Sequence, residues 1–158
     1  MVRHLLVPID GSELAGGAVG QAIALAQQTG ARITFVHVQP SYYGRPDVAI
    51  YGEGLALDPV LCERFAQANA DFAAQLLNQA TQQAADQGVE AALETSVSPL
   101  VHQAILEAAE RCGCDLIVMA SHGRSGLAGL VLGSETQRVL THASLPVLVL
   151  PARAMAQA

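Results

Sequence analysis

The chain has 158 residues, enough for one domain that buries about two-thirds of the surface its unfolded form exposes, and 51% of them are hydrophobic while only 4% are aromatic. A core built from Ala, Leu, Val and Ile without any tryptophan suits a parallel sheet covered by Ala-rich helices. The net charge of -6 argues against a nucleic-acid surface, and because all eight positive charges are Arg, the lysine of a P-loop, Schiff-base chemistry and lysine general bases are excluded together.

Arg3 to Ile9 is a continuous apolar run that ends in Asp10-Gly11-Ser12, the pattern of a buried strand entering a turn. Leu14, Ala18, Ala22, Ile23 and Ala26 then recur at helical spacing between a capping Ser12 and a closing Gly30, which predicts a helix over 13–29. Arg32 to Val38 reads as a second strand, so the first 38 residues form one βαβ unit with parallel strands. Gln39 to Asp58 is a long polar loop bearing Tyr42, Tyr43 and Tyr51, expected to be poorly ordered. A helix over 59–87 follows, with Phe65, Ala68, Phe72, Leu76, Ala80 and Ala84 as its apolar stripe.

Val89 to Val97 is the third strand, placed at an edge by Glu90 and Glu94. Ser98-Pro99 suggests a cap followed by proline at the first helical position, with Val101, Ala104, Ile105 and Ala108 facing the sheet as far as Cys112-Gly113. Asp115 to Ala120 is the fourth strand, a Gly/Ser-rich loop leads to Ser134, a helix runs to about Thr141, and Leu145 to Leu150 is the fifth strand. Neither a signal peptide nor an apolar run long enough to span a membrane is apparent, so a cytoplasmic location is expected, with no membrane partner. The odd cysteine count (Cys62, Cys112 and Cys114) without paired CxxC spacing favours reduced thiols over disulfides or zinc.

Ligands of doubly wound sheets sit beyond the carboxyl ends of the strands. Two segments fall there: Pro8 to Ser12 after strand one, and Ala120-Ser121-His122-Gly123, nine residues, then Gly133-Ser134 after strand four. Gly123, Gly126, Gly129 and Gly133 precede a helix whose first amides lack internal partners, so phosphate oxygens could be held there, with Ser134 as cap and Arg124 as the cation of the loop. From spacing alone a simple connecting loop with a capped helix accounts for the same residues equally well.

The segment Ala120-Ser-His-Gly123 with Gly133-Ser134, preceded by Asp115-Leu-Ile-Val-Met and followed by Leu145-Pro-Val-Leu-Val, resembles the universal stress protein family. The likeness extends to the opening Leu-Val-Pro-Ile-Asp-Gly-Ser, to His37-Val38, and to Pro99, Ile105 and Ala109, and so covers nearly the whole chain. It implies a single Rossmann-like α/β domain over 1–158, a five-stranded parallel sheet of order 3-2-1-4-5 with helices on both faces, and homodimers joined through the last strand. In one branch of the family it also implies ATP, with Mg²⁺ as an accompanying cation, bound by a glycine motif whose first position is Ala120 here. An alanine there is harmless if its backbone stays extended and costs about 1 kcal/mol or more if φ is positive.

Carried over position by position, the resemblance places Asp10 at the ribose or adenine, the Val38 backbone at the adenine edge, and Pro8 in the pocket wall. Met119, Ala120, Gly123, Gly133, Ser134 and Thr136 would line the phosphate end with His122, Arg124 and Glu135. Glu135 would repel a phosphate unless it turns away or a cation intervenes. His37, His102 and His142 lack ligand spacing and read as structural. The expected function is therefore an adenine-nucleotide-binding stress protein without an efficient catalytic set; a ligand-free dimeric interaction module and a slow nucleotide hydrolase are the alternatives.

Overall fold

The computed structural model describes residues 2–41, 59–121 and 132–151, the Leu14 side chain excepted. In chain order the elements are β1 (His4–Pro8), α1 (Glu13–Thr29), β2 (Arg32–Gln39), α2 (Pro59–Asp86), β3 (Ala91–Val97), α3 (Val101–Cys112), β4 (Leu116–Ala120), α4 (Ser134–His142) and β5 (Val147–Leu150). The five strands are parallel and ordered β3-β2-β1-β4-β5.

The order explains the layers. The chain steps outward from β1 to β2 and β3, then returns to β4 and steps the other way to β5. Crossovers of one hand therefore place α1 and α2 on one face and α3 and α4 on the other. The core divides accordingly. Leu5, Val7, Ile33, Phe35 and Val118 pack against Ala22, Ile23 and Ala26 of α1 and Leu77, Ala80 and Ala84 of α2. Leu6, Val36, Ile117 and Met119 point the opposite way, against Ile105, Ala108 and Ala109 of α3 and Val139 of α4. Alternation along each strand supplies both cores, as a sheet covered on both faces requires.

The ends of α1 form as the sequence implies. The Ser12 hydroxyl accepts the Ala15 amide at 3.1 Å, and Gly30 closes the helix at φ 70°. Three expectations need correction. The stripe of α2 is Ala73, Leu77, Ala80 and Ala84, while Ala68 and Phe72 are exposed. A helix of 28 residues is about 42 Å long and β2 about 26 Å, and the buried residues of the helix all lie in its second half. Proline 99 does not open α3: the Ser98 hydroxyl accepts the Leu100 amide at 3.1 Å in a local turn, and the helix starts only at Val101. At α4, Gly133 is the N-cap and Ser134 the first helical residue, so Ser134 is not the cap. The expected disorder of the 39–58 loop concerns residues mostly outside those described, although Gln39 itself completes β2.

No helix among the described residues is long and apolar enough to cross a membrane.

Candidate functional site

The seam between β1 and β4 is where the connections diverge to opposite faces, and it is also where the ladder is shortest. Register runs Leu5 to Leu116 and Leu6 to Ile117 and then stops. Pro8 has no N–H with which to extend it. Beyond that point lies a cleft of about 120 Å³, partly open to solvent. Pro8, Ile9 and Asp10 form its β1 side, Val36 and Val38 its β2 side, and Met119 and Ala120 its β4 side. Ala15 of α1, Val101 and Ile105 of α3, and Glu135 and Thr136 of α4 complete the wall.

Each polar group at the cleft is held by its surroundings. The Asp10 carboxylate accepts the Ser12 amide at 3.0 Å, which fixes the turn between β1 and α1. His37, 4% exposed, donates its Nδ1–H to the Ile9 carbonyl at 2.7 Å and meets Phe72 edge-on, so it braces the same turn. Ala120 is buried, and no non-glycine residue among those described has positive φ, so the alanine in the first motif position carries no backbone strain. Thr136 is 3% exposed and donates its hydroxyl to the Ala120 carbonyl at 3.2 Å, clamping the start of α4 onto the end of β4.

The phosphate end is only partly described. His122, Gly123, Arg124, Gly126 and Gly129 lie outside the described residues. Gly133 has φ -58° and ψ 148°, angles open to any residue, and its amide donates to the Ser121 carbonyl at 2.8 Å. That amide is consequently in use within the protein. The donors an anion would meet are those of Ser134, Glu135 and Thr136, the first turn of α4, to which an α-helix offers no carbonyl one turn back. The Glu135 carboxylate turns toward α3, accepting the His102 amide at 2.9 Å and an Arg138 N–H at 2.7 Å.

Of the residues singled out from sequence, Pro8, Asp10, Val38, Met119, Ala120, Glu135 and Thr136 come together at this cleft, and Gly133 and Ser134 stand at its edge as the start of α4. Ile9 falls in the Pro8–Ser12 segment expected there, whereas Ala15, Val36, Val101 and Ile105 were not anticipated. Their apolar character is the same for a pocket wall as for a core, although Val36 with Val38, and Val101 with Ile105, do share a face by strand and helix spacing. A second groove, between α1 and α2 and bounded by Gly11, Ser12, Gly16, Leu76, Gln79 and Gln83, has a volume of about 410 Å³. It shares Ile9 and Ala15 with the cleft but takes no residue of β4 or α4, and the helix start beside it is already capped by Ser12.

Cys112 and Cys114 offer no nucleophile. Burial pushes Cys114 up to about 12 and raises Cys112 as well, so neither is ionised near neutrality. Among the described residues no group of three His, Cys, Asp or Glu side chains could hold a metal ion.

A parallel sheet whose strand order reverses at β1 and β4, with an apolar cleft there lined in part by the start of α4, defines a doubly wound α/β fold. The chain belongs to the universal stress protein family: the model of that family matches residues 1–151. Universal stress protein YxiE of Bacillus subtilis is 30% identical over 152 residues, spanning 94% of this chain and 99% of its own. The structure of universal stress protein UspA from Lactobacillus plantarum superposes with a TM-score of 0.77 at 29% identity, covering 94% of this chain and 97% of that one. Two more distant structures share the fold. One is a universal stress protein in complex with cAMP, with TM-score 0.63, 21% identity and coverage of 95% and 97%. The other is an Arabidopsis thaliana family protein with AMP bound, with TM-score 0.65, 17% identity and coverage of 94% and 91%.

Proposed function

We propose that this chain is a single-domain, cytoplasmic universal stress protein that binds an adenine nucleotide, ATP or a close relative, in the cleft between β1 and β4, and acts through its bound nucleotide. The observation that carries the reading is the coincidence of an apolar cleft, a helix start and the strand-order reversal at one place. The AMP and cAMP held by two structural neighbours support the choice of ligand. In this reading the base lies against Val36, Val38, Val101 and Ile105, and Asp10 accepts from the ribose hydroxyls. Ser134 and Thr136 present main-chain donors to phosphate, Gly133 leaves room for it, and Met119 and Ala120 form the floor. His122, Gly123 and Arg124 would complete the phosphate end, with Mg²⁺ between phosphate oxygens where the ligand is a triphosphate.

Rapid phosphoryl transfer needs metal carboxylates, a cationic clamp and a group that orients the nucleophile. Among the described lining residues only Asp10 and Glu135 ionise, both acidic, which favours binding over turnover. The edge strand β5, with Leu148 39% exposed, would pair two copies about a two-fold axis. Native mass spectrometry after adding AMP or MgATP tests the reading: one nucleotide per chain is expected, and a spectrum unchanged at saturating ligand would contradict it.

A further inference from the structure

Glu135 is the second residue of α4, so its own amide belongs to the first turn that faces the cleft, yet its side chain is drawn sideways to another helix. Oε2 accepts the backbone N–H of His102 at 2.9 Å and stands 3.4 Å from His102 Nδ1. Oε1 accepts from Arg138 Nη1 at 2.7 Å. These partners hold the carboxylate toward α3, with the side chain still 35% exposed. They also solve a problem for α3, whose N-cap residue, Leu100, makes no side-chain capping bond. A first-turn amide of α3 is thus satisfied by a carboxylate from α4, and one wall of the cleft is tied together by that link.

The electrostatic consequence follows from position. A carboxylate on the α3 start offsets the positive end of that helix. Its cationic partner, Arg138, is 55% exposed and absent from the cleft lining, whose described charges are the carboxylates of Asp10 and Glu135. An anion held on the first turn of α4 therefore sits within one helical turn of a fixed negative charge, at the edge of an apolar cleft where screening is weaker than in water. Each further unneutralised phosphate charge adds to the repulsion.

We propose that Glu135 is a specificity residue: by capping α3 from α4 it fixes a negative charge beside the phosphate end of the cleft. The site is thereby biased toward nucleotides with little uncompensated phosphate charge, a monophosphate or a cation-neutralised triphosphate, and against free ATP. This rests on the nucleotide-binding reading above.

The test is Glu135→Gln, which removes the charge and keeps an oxygen for the His102 amide, titrated calorimetrically with AMP and with ATP in chelator. Affinity for free ATP should rise about tenfold, the factor that about 1.4 kcal/mol of relieved repulsion produces, and affinity for AMP by less than about threefold. Adding Mg²⁺ should shrink the gain for ATP. Hydrogen exchange at the His102 amide should stay slow in Glu135→Gln and become fast in Glu135→Ala, which reads the cap independently of any ligand. Equal gains for both nucleotides, or an unchanged ATP to AMP ratio in a wild type that binds them, would overturn the inference alone. A wild type that binds neither would overturn the nucleotide reading and this inference with it.

Discussion

In the proposed reading Gly133 is the residue on which the phosphate end depends, and its backbone explains why it can be tested cleanly. Since φ -58° and ψ 148° suit any amino acid, Gly133→Val should fold normally while its branched side chain fills the space above the first turn of α4. Circular dichroism should be unchanged and calorimetric binding of AMP lost; undiminished affinity would show that the phosphate lies elsewhere. A second residue-scale prediction concerns His4, 7% exposed, whose Nε2 lies 2.8 Å from Thr34 Oγ1. Burial, aided by the Arg32 charge, lowers its pKa from the ordinary 6.5. The unfolded chain therefore binds this proton more readily than the folded one. Stability from the neutral ring is present above pH 6.5 and is lost as pH falls through the folded value. Asp115, which accepts the Arg3 and His4 amides, has its pKa lowered despite partial burial, so its contribution is lost in a separate, more acidic window below 3.8. Thermal unfolding midpoints should fall as pH drops below 6.5, and His4→Gln should flatten that limb; an equally steep limb in the variant would refute the assignment.

At the scale of elements, the turn from β1 into α1 holds the cleft open on one side and is tightly specified. Gly11 has φ 80°, and a Cβ on it would come within 2.7 Å of Phe72 Cζ on α2. Gly11→Ala should therefore cost about 1–2 kcal/mol in urea unfolding, mostly from the left-handed backbone, since Phe72 is 39% exposed and its ring can shift. No loss would mean the turn relaxes freely. These elements were largely legible in the sequence, because apolar runs bounded by glycines and local caps such as Ser12 report backbone choices made within a few residues. The start of α3 was not. Its first turn is capped by Glu135, 33 residues away, and a local reading of Ser98-Pro99 has no access to such a partner. The stripe of α2 was misjudged for a related reason, since a helical pattern cannot show which of its apolar positions the rest of the fold covers.

For the whole molecule, parallel pairing and one-handed crossovers fit several strand orders, and the order β3-β2-β1-β4-β5 was legible only through the family resemblance; once it is given, the place of the cleft follows. The polar half of the candidate site, Asp10 with Ala120 and Thr136, was recognisable from its motif. The apolar half, Val36, Val101 and Ile105, was hidden because the same side chains would serve equally as core. The account as a whole stands on a nucleotide lying between β1 and β4 with its phosphate on the first turn of α4. The most direct measurement is an AMP titration followed by amide chemical shifts in the assigned chain. Asp10, Val38, Ser134, Glu135 and Thr136 should move together and saturate at one ligand per chain. Shifts confined to Gly16, Gln79 and Gln83 of the groove between α1 and α2, with the α4 amides unmoved, would contradict it.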